Sequence, residues 1–395
     1  MSQRATARSL RRIRRSFKRM SYSPEGWEDW RESPRKQFQR QLQETMVREV
    51  RRYLSRVRSH GESDRRNGSY RRHLLTVLGD IELCVPRTRS FSPWKIVAAY
   101  VRRTPEVDAA ILACFVLGLS VRKVSEALGS ILGVEVSGST VSRVARVLDK
   151  EVAAYHRRPL RDRYRVLLFD GVILRSKTGA GAQGHAVLVA LGIRPDGRKE
   201  VIDFRVARGE SEDAWLAFLT DLWERGLRGE NVQLLGVDGG SGLLAALANI
   251  YPRLPVQRCW AHKVRNILDK VRKSDREAVK KDLRQIYRAQ GIRAARQAAR
   301  RFADRWEQIY PRAVACLRKD LEELLNFFSF QDPEWKKAVR TTNAIERRFR
   351  EVRRRTRPMG VMADRTSIDR ILYAVFSREN RRQGTGTPFL LTQNS

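Results

Sequence analysis

Three acidic residues offer chemistry that no other part of the sequence matches. Asp170 stands inside the apolar run YRVLLFDGVILRS, where a carboxylate is costly to bury without a partner. Asp238 closes a second apolar run, NVQLLGVDGG, and Glu346 lies far downstream in TTNAIERRFREVRRRT. Each alone reads as an ordinary structural acid. Brought together, their like charges need a cation between them. Mg²⁺ suits such a set, with Mn²⁺ as a substitute, because it takes a few carboxylates plus substrate phosphate. Two such ions roughly 4 Å apart clamp the attacking and leaving oxygens of an in-line phosphoryl transfer. Asp170, Asp238 and Glu346 are therefore the candidate catalytic residues and the candidate metal ligands.

Two further motifs accompany them. Cys259-Trp-Ala-His262 supplies two of the four ligands that structural zinc requires, so Cys259 and His262 read as packing and positioning beside the active site. The segment RRFREVRRRTR (347–357) holds seven arginines, a dense source of phosphate contacts. Arg347, Arg350 and Arg354 share one helical stripe and Glu346, Arg350 and Arg353 an adjoining one. These four arginines are expected to hold DNA at the metals, whereas Arg355 is expected to act mainly through affinity, an effect that fades at high salt. The histidines at 60, 73, 156 and 185 are isolated, and no GxxxxGK[ST] segment indicates an ATP site.

Positioning the acids requires elements in a definite order. YRVLLFDGVILRS, HAVLVALGIR and KEVIDFRVA read as three strands, and their short connections make them antiparallel neighbours. EDAWLAFLTDLWERG reads as a helix with Trp215, Phe218, Leu219 and Leu222 on one face. NVQLLGVDGG reads as a buried parallel strand, GLLAALANIY as a helix and PVQRCWAH as a strand. That order is the order of a ribonuclease H-like α/β core, in which the first and fourth strands are neighbours. Its first part spans 161–263, a basic helical insertion follows at 264–340, its final helices occupy 341–380, and 381–395 is a C-terminal tail. The final helix is expected to be capped by Thr342 or Asn343.

Upstream, 105–160 reads as short helices: one from Pro105 broken at Gly118-Leu-Ser120, VRKVSEAL ending at Gly129, and TVSRVARVLDKEVAAY capped by Ser139. This is a helix-turn-helix-like pattern, with Thr140, Ser142, Arg143 and Arg146 as DNA-facing candidates. Residues 61–104 form a short β and linker region. SHGESDRRNGS (59–69) reads as linker, and LLTVLGDIELCVPR as two strands about a Gly79-Asp80 turn. Residues 1–60 comprise a basic arm, a loop bearing Trp27 and Trp30, and a helix from about Lys36 to Val57.

The 395 residues carry 80 Lys+Arg against 44 Asp+Glu, a formal charge of +36. Such a surplus calls for a polyanion, and double-stranded DNA is the leading partner. A hydrophobic content of 42% excludes a wholly disordered basic tail. The longest apolar run, Ala109–Leu119, falls short of the roughly 20 residues a membrane span needs. No apolar segment follows the basic N-terminus as in a secretory signal, and the four cysteines form no C-x-x-C pair. A cytoplasmic, nucleoid-associated protein is expected.

Several long motifs carry a resemblance: RNGSYRRHLLTVLGDIELCVPRTR, FVLGLSVRKVSEAL, GVEVSGSTVSRV, GRKEVIDFRVARGESEDAWLAFLTDLWERGL, LLGVDGGSGLLAAL, YPRLPVQRCWAHKVRN and TTNAIERRFREVRRRTRPMG. From about Arg66 to Arg378 the chain resembles the IS256-type insertion-sequence transposases of bacteria, related to the Mutator group. The resemblance implies a DDE-type transposase with its triad on Asp170, Asp238 and Glu346 and the family's C-x-x-H on Cys259 and His262. It implies Mg²⁺-dependent strand cleavage and strand transfer between terminal inverted repeats and target DNA, by a homodimer or higher oligomer. Where the family usually has Asp-Ala, this chain has Asp170-Gly171, and residues 1–60 match poorly. The alternatives are a non-catalytic DNA-binding regulator derived from a transposase, and a nuclease that only hydrolyses.

Overall fold

The chain builds two units, one from Met1–Ala113 with Val121–Val144 and the other from Cys114–Ser120 with Ala145–Ser395. The computed structural model describes residues 24–93, 101–178, 181–362 and 364–386. The basic stretch 1–20 and residues 387–395 of the tail lie outside the described residues.

In the first unit, helix α1 (Pro24–Ser59) starts well before Lys36 and runs through Pro34. Trp27 and Trp30 are therefore helical rather than in a loop. Proline is well tolerated in a first turn, and Pro24 opens this helix. Strands β1 (Arg66–Thr76) and β2 (Gly79–Thr88) form an antiparallel hairpin whose register pairs Thr76 with Gly79. The turn is thus Val77-Leu78, not Gly79-Asp80, and β1 takes in part of the segment read as linker. Thr76 closes the turn: its hydroxyl donates to the Gly79 carbonyl (2.8 Å) and accepts from the Leu78 N–H (3.1 Å). Met46 of α1 packs with Leu74, Ile81, Leu83 and Val85 of the hairpin.

Helix α2 (Pro105–Val116) ends at the expected break. Helix α3 (Val121–Leu132) continues past Gly129, burying Val124, Leu128 and Leu132 at i, i+4, i+8. Helix α4 (Gly138–Ala145) is capped by Ser137 rather than Ser139, the Ser137 Oγ accepting from the Thr140 N–H at 3.3 Å. The helix expected to run from Thr140 through Tyr155 breaks at Arg146-Val147, and α5 (Leu148–Arg157) follows.

The second unit is mixed α/β. Its strands are β3 (Val166–Thr178), β4 (Gly181–Ile193), β5 (Lys199–Ala207), β6 (Leu234–Val237) and β7 (Val256–Arg258), in the order β5-β4-β3-β6-β7. β3, β4 and β5 are antiparallel neighbours, as their short connections predict, and β6 and β7 run parallel to β3. Helices α6 (Glu212–Glu224) and α7 (Ser241–Ile250) bury Trp215, Phe218, Leu219, Leu222 and Leu247 against Leu167, Phe169, Leu188 and Leu235 of the sheet. β7 is shorter than PVQRCWAH suggested, because α8 (Trp260–Leu268) starts within that segment.

Five helices then follow with no strand among the described residues: α9 (Arg276–Tyr287), α10 (Ile292–Trp306), α11 (Pro311–Lys319), α12 (Leu321–Leu325) and α13 (Pro333–Val339). The chain returns to the sheet through α14 (Asn343–Met359) and α15 (Arg365–Arg382). No side chain caps α14, contrary to the expectation for Thr342 or Asn343. α15 packs along β5, where the Asn380 amide accepts from the Val201 N–H (2.7 Å) and donates to its carbonyl (2.9 Å). Among the described residues, no helix is long and apolar enough to cross a membrane.

Candidate active site

The parallel register of β3 and β6 pairs Phe169 with Val237. One step further along lie Asp170 and Asp238, on strands about 4.8 Å apart. Asp170 is 6% exposed, and its Oδ1 accepts the Gly171 N–H at 2.8 Å. Asp238 is half-buried in the Asp-Gly-Gly turn, its Oδ1 accepting from the Gly240 N–H at 3.1 Å. Glu346 sits in the first turn of α14, where the helix dipole favours a carboxylate. His262 Nε2 approaches Glu346 Oε1 at 3.5 Å. Asp170, Asp238, His262 and Glu346 line one cavity of about 620 Å³, joined by Glu210 and by arginines of α14.

The C-x-x-H segment ties this corner together. The Cys259 N–H donates to the Val237 carbonyl at the end of β6 (2.8 Å), and the Cys259 Sγ accepts from the Thr342 N–H (3.3 Å) just before α14. The Trp260 N–H donates to the Arg340 carbonyl (3.2 Å), and its indole to the Leu324 carbonyl (2.7 Å). One short segment thus fixes the end of the strand bearing Asp238 relative to the start of the helix bearing Glu346.

The electrostatics are those of crowded carboxylates. Burial, then the charge of Asp238, pushes Asp170 up to about 7, and Glu346 adds to the shift. Desolvation and Asp238 raise Glu210 as well. The neighbouring Cys259 sulfur, with Asp170 and Glu346 adding, carries His262 up to about 9, so its ring is cationic at neutral pH. Burial works against ionisation of the Cys259 thiol, but the neighbouring His262 ring and the Thr342 N–H outweigh it and bring the thiol below its ordinary value. An acid held near neutrality by an adjacent acid is the donor set that a hard divalent cation relieves. Among the described residues, no three acidic, histidine or cysteine side chains stand gathered about one point as a finished metal site; Glu346 is turned toward His262 instead.

The family model described as "Transposase, Mutator family" matches residues 13–383. This chain belongs to the Mutator family of transposases. The transposase for insertion sequence element IS905 of Lactococcus lactis is 30% identical over 326 residues, covering 82% of each chain. The transposase for insertion sequence element IS256 in transposon Tn4001 of Staphylococcus aureus is 32% identical over 323 residues, covering 80% of this chain and 82% of its own. The transposase for insertion sequence element ISRM3 of Rhizobium meliloti is 31% identical over 320 residues, covering 80% and 79%.

Within this Mutator-family chain the arginines of α14 divide three ways. Arg350, Arg353 and Arg354 line the acid cavity, and so does Arg357. Arg347 does not join them: it lines a separate cavity with Lys199, because successive side chains on a helix are rotated by about 100°. Arg348 and Arg355 are each 7% exposed. Arg355 is therefore not a solvent-facing contact. Its Nη1 donates to the Glu351 carbonyl (2.9 Å) and carboxylate (2.8 Å).

On α4, Ser142 and Arg143 are exposed and Thr140 is half-buried, its Oγ1 accepting from Ser137 (3.0 Å). Arg146 is exposed but lies past the end of α4, in the turn. Glu210 and Arg265 line the acid cavity and were not singled out from the sequence, nor were Phe349 and Glu351. The signal for Glu210 was present in the Asp170-Gly171 departure: a Cβ at 171 would collide with the Glu210 carboxylate.

Proposed function

We propose that this chain is a DDE-type DNA transposase of a bacterial insertion sequence. It binds the terminal inverted repeats, cleaves there by phosphoryl transfer and joins the freed 3′ ends to target DNA. The observation that carries the reading is the convergence of Asp170, Asp238 and Glu346, from two strands and a distant helix, on one arginine-walled cavity. Membership of the Mutator family of transposases supports it, and so does the sheet order, with three antiparallel strands followed by two parallel ones, the arrangement of a ribonuclease H-like core. The α2–α4 segment is read as its helix-turn-helix-like DNA reader, with Ser142 and Arg143 outermost.

Asp170, Asp238 and Glu346 would hold Mg²⁺, or Mn²⁺ in its place. When bound, the metal supplies activation of the attacking oxygen and neutralises charge on the leaving one. The chain's own residues do the rest. Arg350, Arg353, Arg354 and Arg357 grip the phosphates on either side of the scissile bond and hold it over the acids. The His262 ring holds Glu346 in the cavity by its positive charge, and Cys259 keeps that ring protonated. Two element ends have to be brought together, so the working unit is a homodimer or larger assembly on DNA.

The test is strand cleavage and transfer on duplexes from the element's ends. Asp170→Asn, Asp238→Asn and Glu346→Gln should each abolish both reactions in Mg²⁺ while DNA affinity stays within about twofold, because each change removes a ligand and little volume. A variant that cleaves like wild type removes its residue from the triad. Cleavage without joining to a second DNA would make the protein a nuclease, and DNA binding with no cleavage in any divalent metal a regulator.

A further inference from the structure

The acid cavity is not the only strongly charged hollow on α14. A second cavity, of about 490 Å³, lies at the N-terminal end of the same helix on another flank. Its walls carry Lys199 from β5, Lys337 and Arg340 from the approach to α14, and Arg347 and Arg348 from α14 itself. Glu334 is the one acid lining it, and it is paired loosely with Lys337 at 3.8 Å, both side chains largely in solvent.

Arg348 is the decisive residue. It is 7% exposed, yet its Nε and Nη2 are buried with no hydrogen-bond partner among the described residues. Only Nη1 approaches an acid, Glu379, at 3.8 Å. A guanidinium in that position loses its hydration and leaves donors unmet, which folded proteins rarely tolerate without a ligand or water to fill the gap. Beside it, the first turn of α14 has no side-chain cap, and its Asn343 and Ala344 line the same hollow at the positive end of the helix dipole. Arg340 is held ready by Tyr287, donating to its carbonyl (3.0 Å) and lying over its ring. Burial, together with Arg348 and Arg347, lowers the Lys199 ammonium, as expected where cations are packed without enough anions.

We propose that this cavity is a second phosphate site, which grips a backbone phosphate of the bound DNA through Lys199, Arg347, Arg348 and the N-terminus of α14. The inference rests on the reading of the chain as a DNA-processing enzyme. Lys199, Arg347 and the first turn of α14 line the hollow together, and a tetrahedral group of oxygens there would draw out the Arg348 donors that no protein group meets. DNA is the source favoured over free phosphate, because the acids lie on the adjoining flank of the same helix. The two hollows flank one helix about 10–12 Å across, so the gripped phosphate lies within a few nucleotides of the reacting one. The site would then fix the register of the strand in the acid cavity.

Lys199→Ala, Arg347→Ala and the double variant test this, with Arg348 left intact to preserve the fold. Affinity for a random duplex is measured across salt concentrations, which requires no transposition activity. The double variant should lower the salt slope by about 0.9, the value for one duplex phosphate contact. On an element-end duplex, single methylphosphonate substitutions should reveal one phosphate, within a few nucleotides of the cleaved bond, whose neutralisation weakens wild type at least fivefold and the double variant hardly at all. An unchanged slope, with every methylphosphonate weakening both proteins equally, overturns the proposal. So does a cavity that takes only free anion: inorganic phosphate would then raise the Tm of wild type but not of the variant, with the DNA slope unmoved. If wild type fails to cleave element ends, the transposase reading fails while the random-duplex slope still decides the cavity.

Discussion

At the scale of single residues, Asp170 concentrates the conflict between stability and chemistry. Its carboxyl is held at about 7 instead of 3.8 by burial and by Asp238. Folding therefore favours the protonated acid: its stabilising share is complete below about pH 4 and is lost as pH rises through about 7. The loss is on the order of a few kcal/mol, at 1.36 kcal/mol per unit. Asp170→Asn removes it. In a chelator, the variant should melt higher than wild type at pH 8, with the difference shrinking to nothing near pH 4; a constant difference across that range would separate the effect from ionisation. On the proposed function, the same acid would make metal binding proton-coupled. Mn²⁺ affinity of wild type, read by calorimetry, should fall as pH drops below 7, about tenfold per unit while Asp170 remains the group being deprotonated. Cys259 and His262 belong to this scale as positioning residues, since they act on Glu346 and on the strand end rather than on a substrate.

At the scale of elements, α14 is a helix whose arginines do three jobs set by rotation around its axis. Those at 350, 353, 354 and 357 face the acids, Arg347 and the buried Arg348 line the second cavity, and Arg355 is buried away from both. Arg350→Ala should slow single-turnover cleavage at saturating DNA by roughly 100-fold, the scale of a misplacement of about 1 Å, with a smaller loss of affinity. Arg355→Ala should behave differently, lowering stability by about 1–3 kcal/mol through its bonds to Glu351, with no special salt dependence. Gly118 explains why Arg355 is so enclosed. It has φ +99°, and a Cβ there would stand 2.8 Å from the Arg355 Cα. Gly118→Ala should therefore destabilise at least as strongly as Arg355→Ala, and thermal unfolding of the two variants checks both expectations. Equal cleavage by Arg350→Ala and wild type at saturation would reduce the arginine face to general DNA attraction.

At the scale of the whole molecule, the proposed function sets +36 charges against a polyanion, an attraction that is salt-sensitive and blind to sequence, so specificity has to come from a particular surface. Ser142 and Arg143 on α4 are the exposed candidates. Arg143→Ala should weaken binding to the element's ends by about tenfold, the order of one base contact, and binding to random duplex by far less. Competition between the two duplexes at fixed salt measures this, and an equal loss on both would show that α4 reads no sequence.

Most of the elements, and the three acids that line one cavity, were legible in the sequence by itself. Alternation and helical period are local properties, so the strands flanking Asp170 and Asp238, the helix of Glu346 and the strand-free stretch after Lys263 could be read from short windows. Charge is a sum over residues and needs no fold. Element ends were less legible, because a hydroxyl one turn away settles them: Thr76 moved the hairpin turn and Ser137 took the cap from Ser139. Only the tertiary structure decided which like residues differ. Arg350 and Arg355 look alike in the run of arginines, yet one lines the cavity and the other is buried. Lys199 and Arg348 are distant in the chain and line one hollow only because the tertiary structure brings β5 and the start of α14 to it. Burial and partnership depend on contacts between remote segments, and a residue's type and its neighbours in sequence carry no record of them.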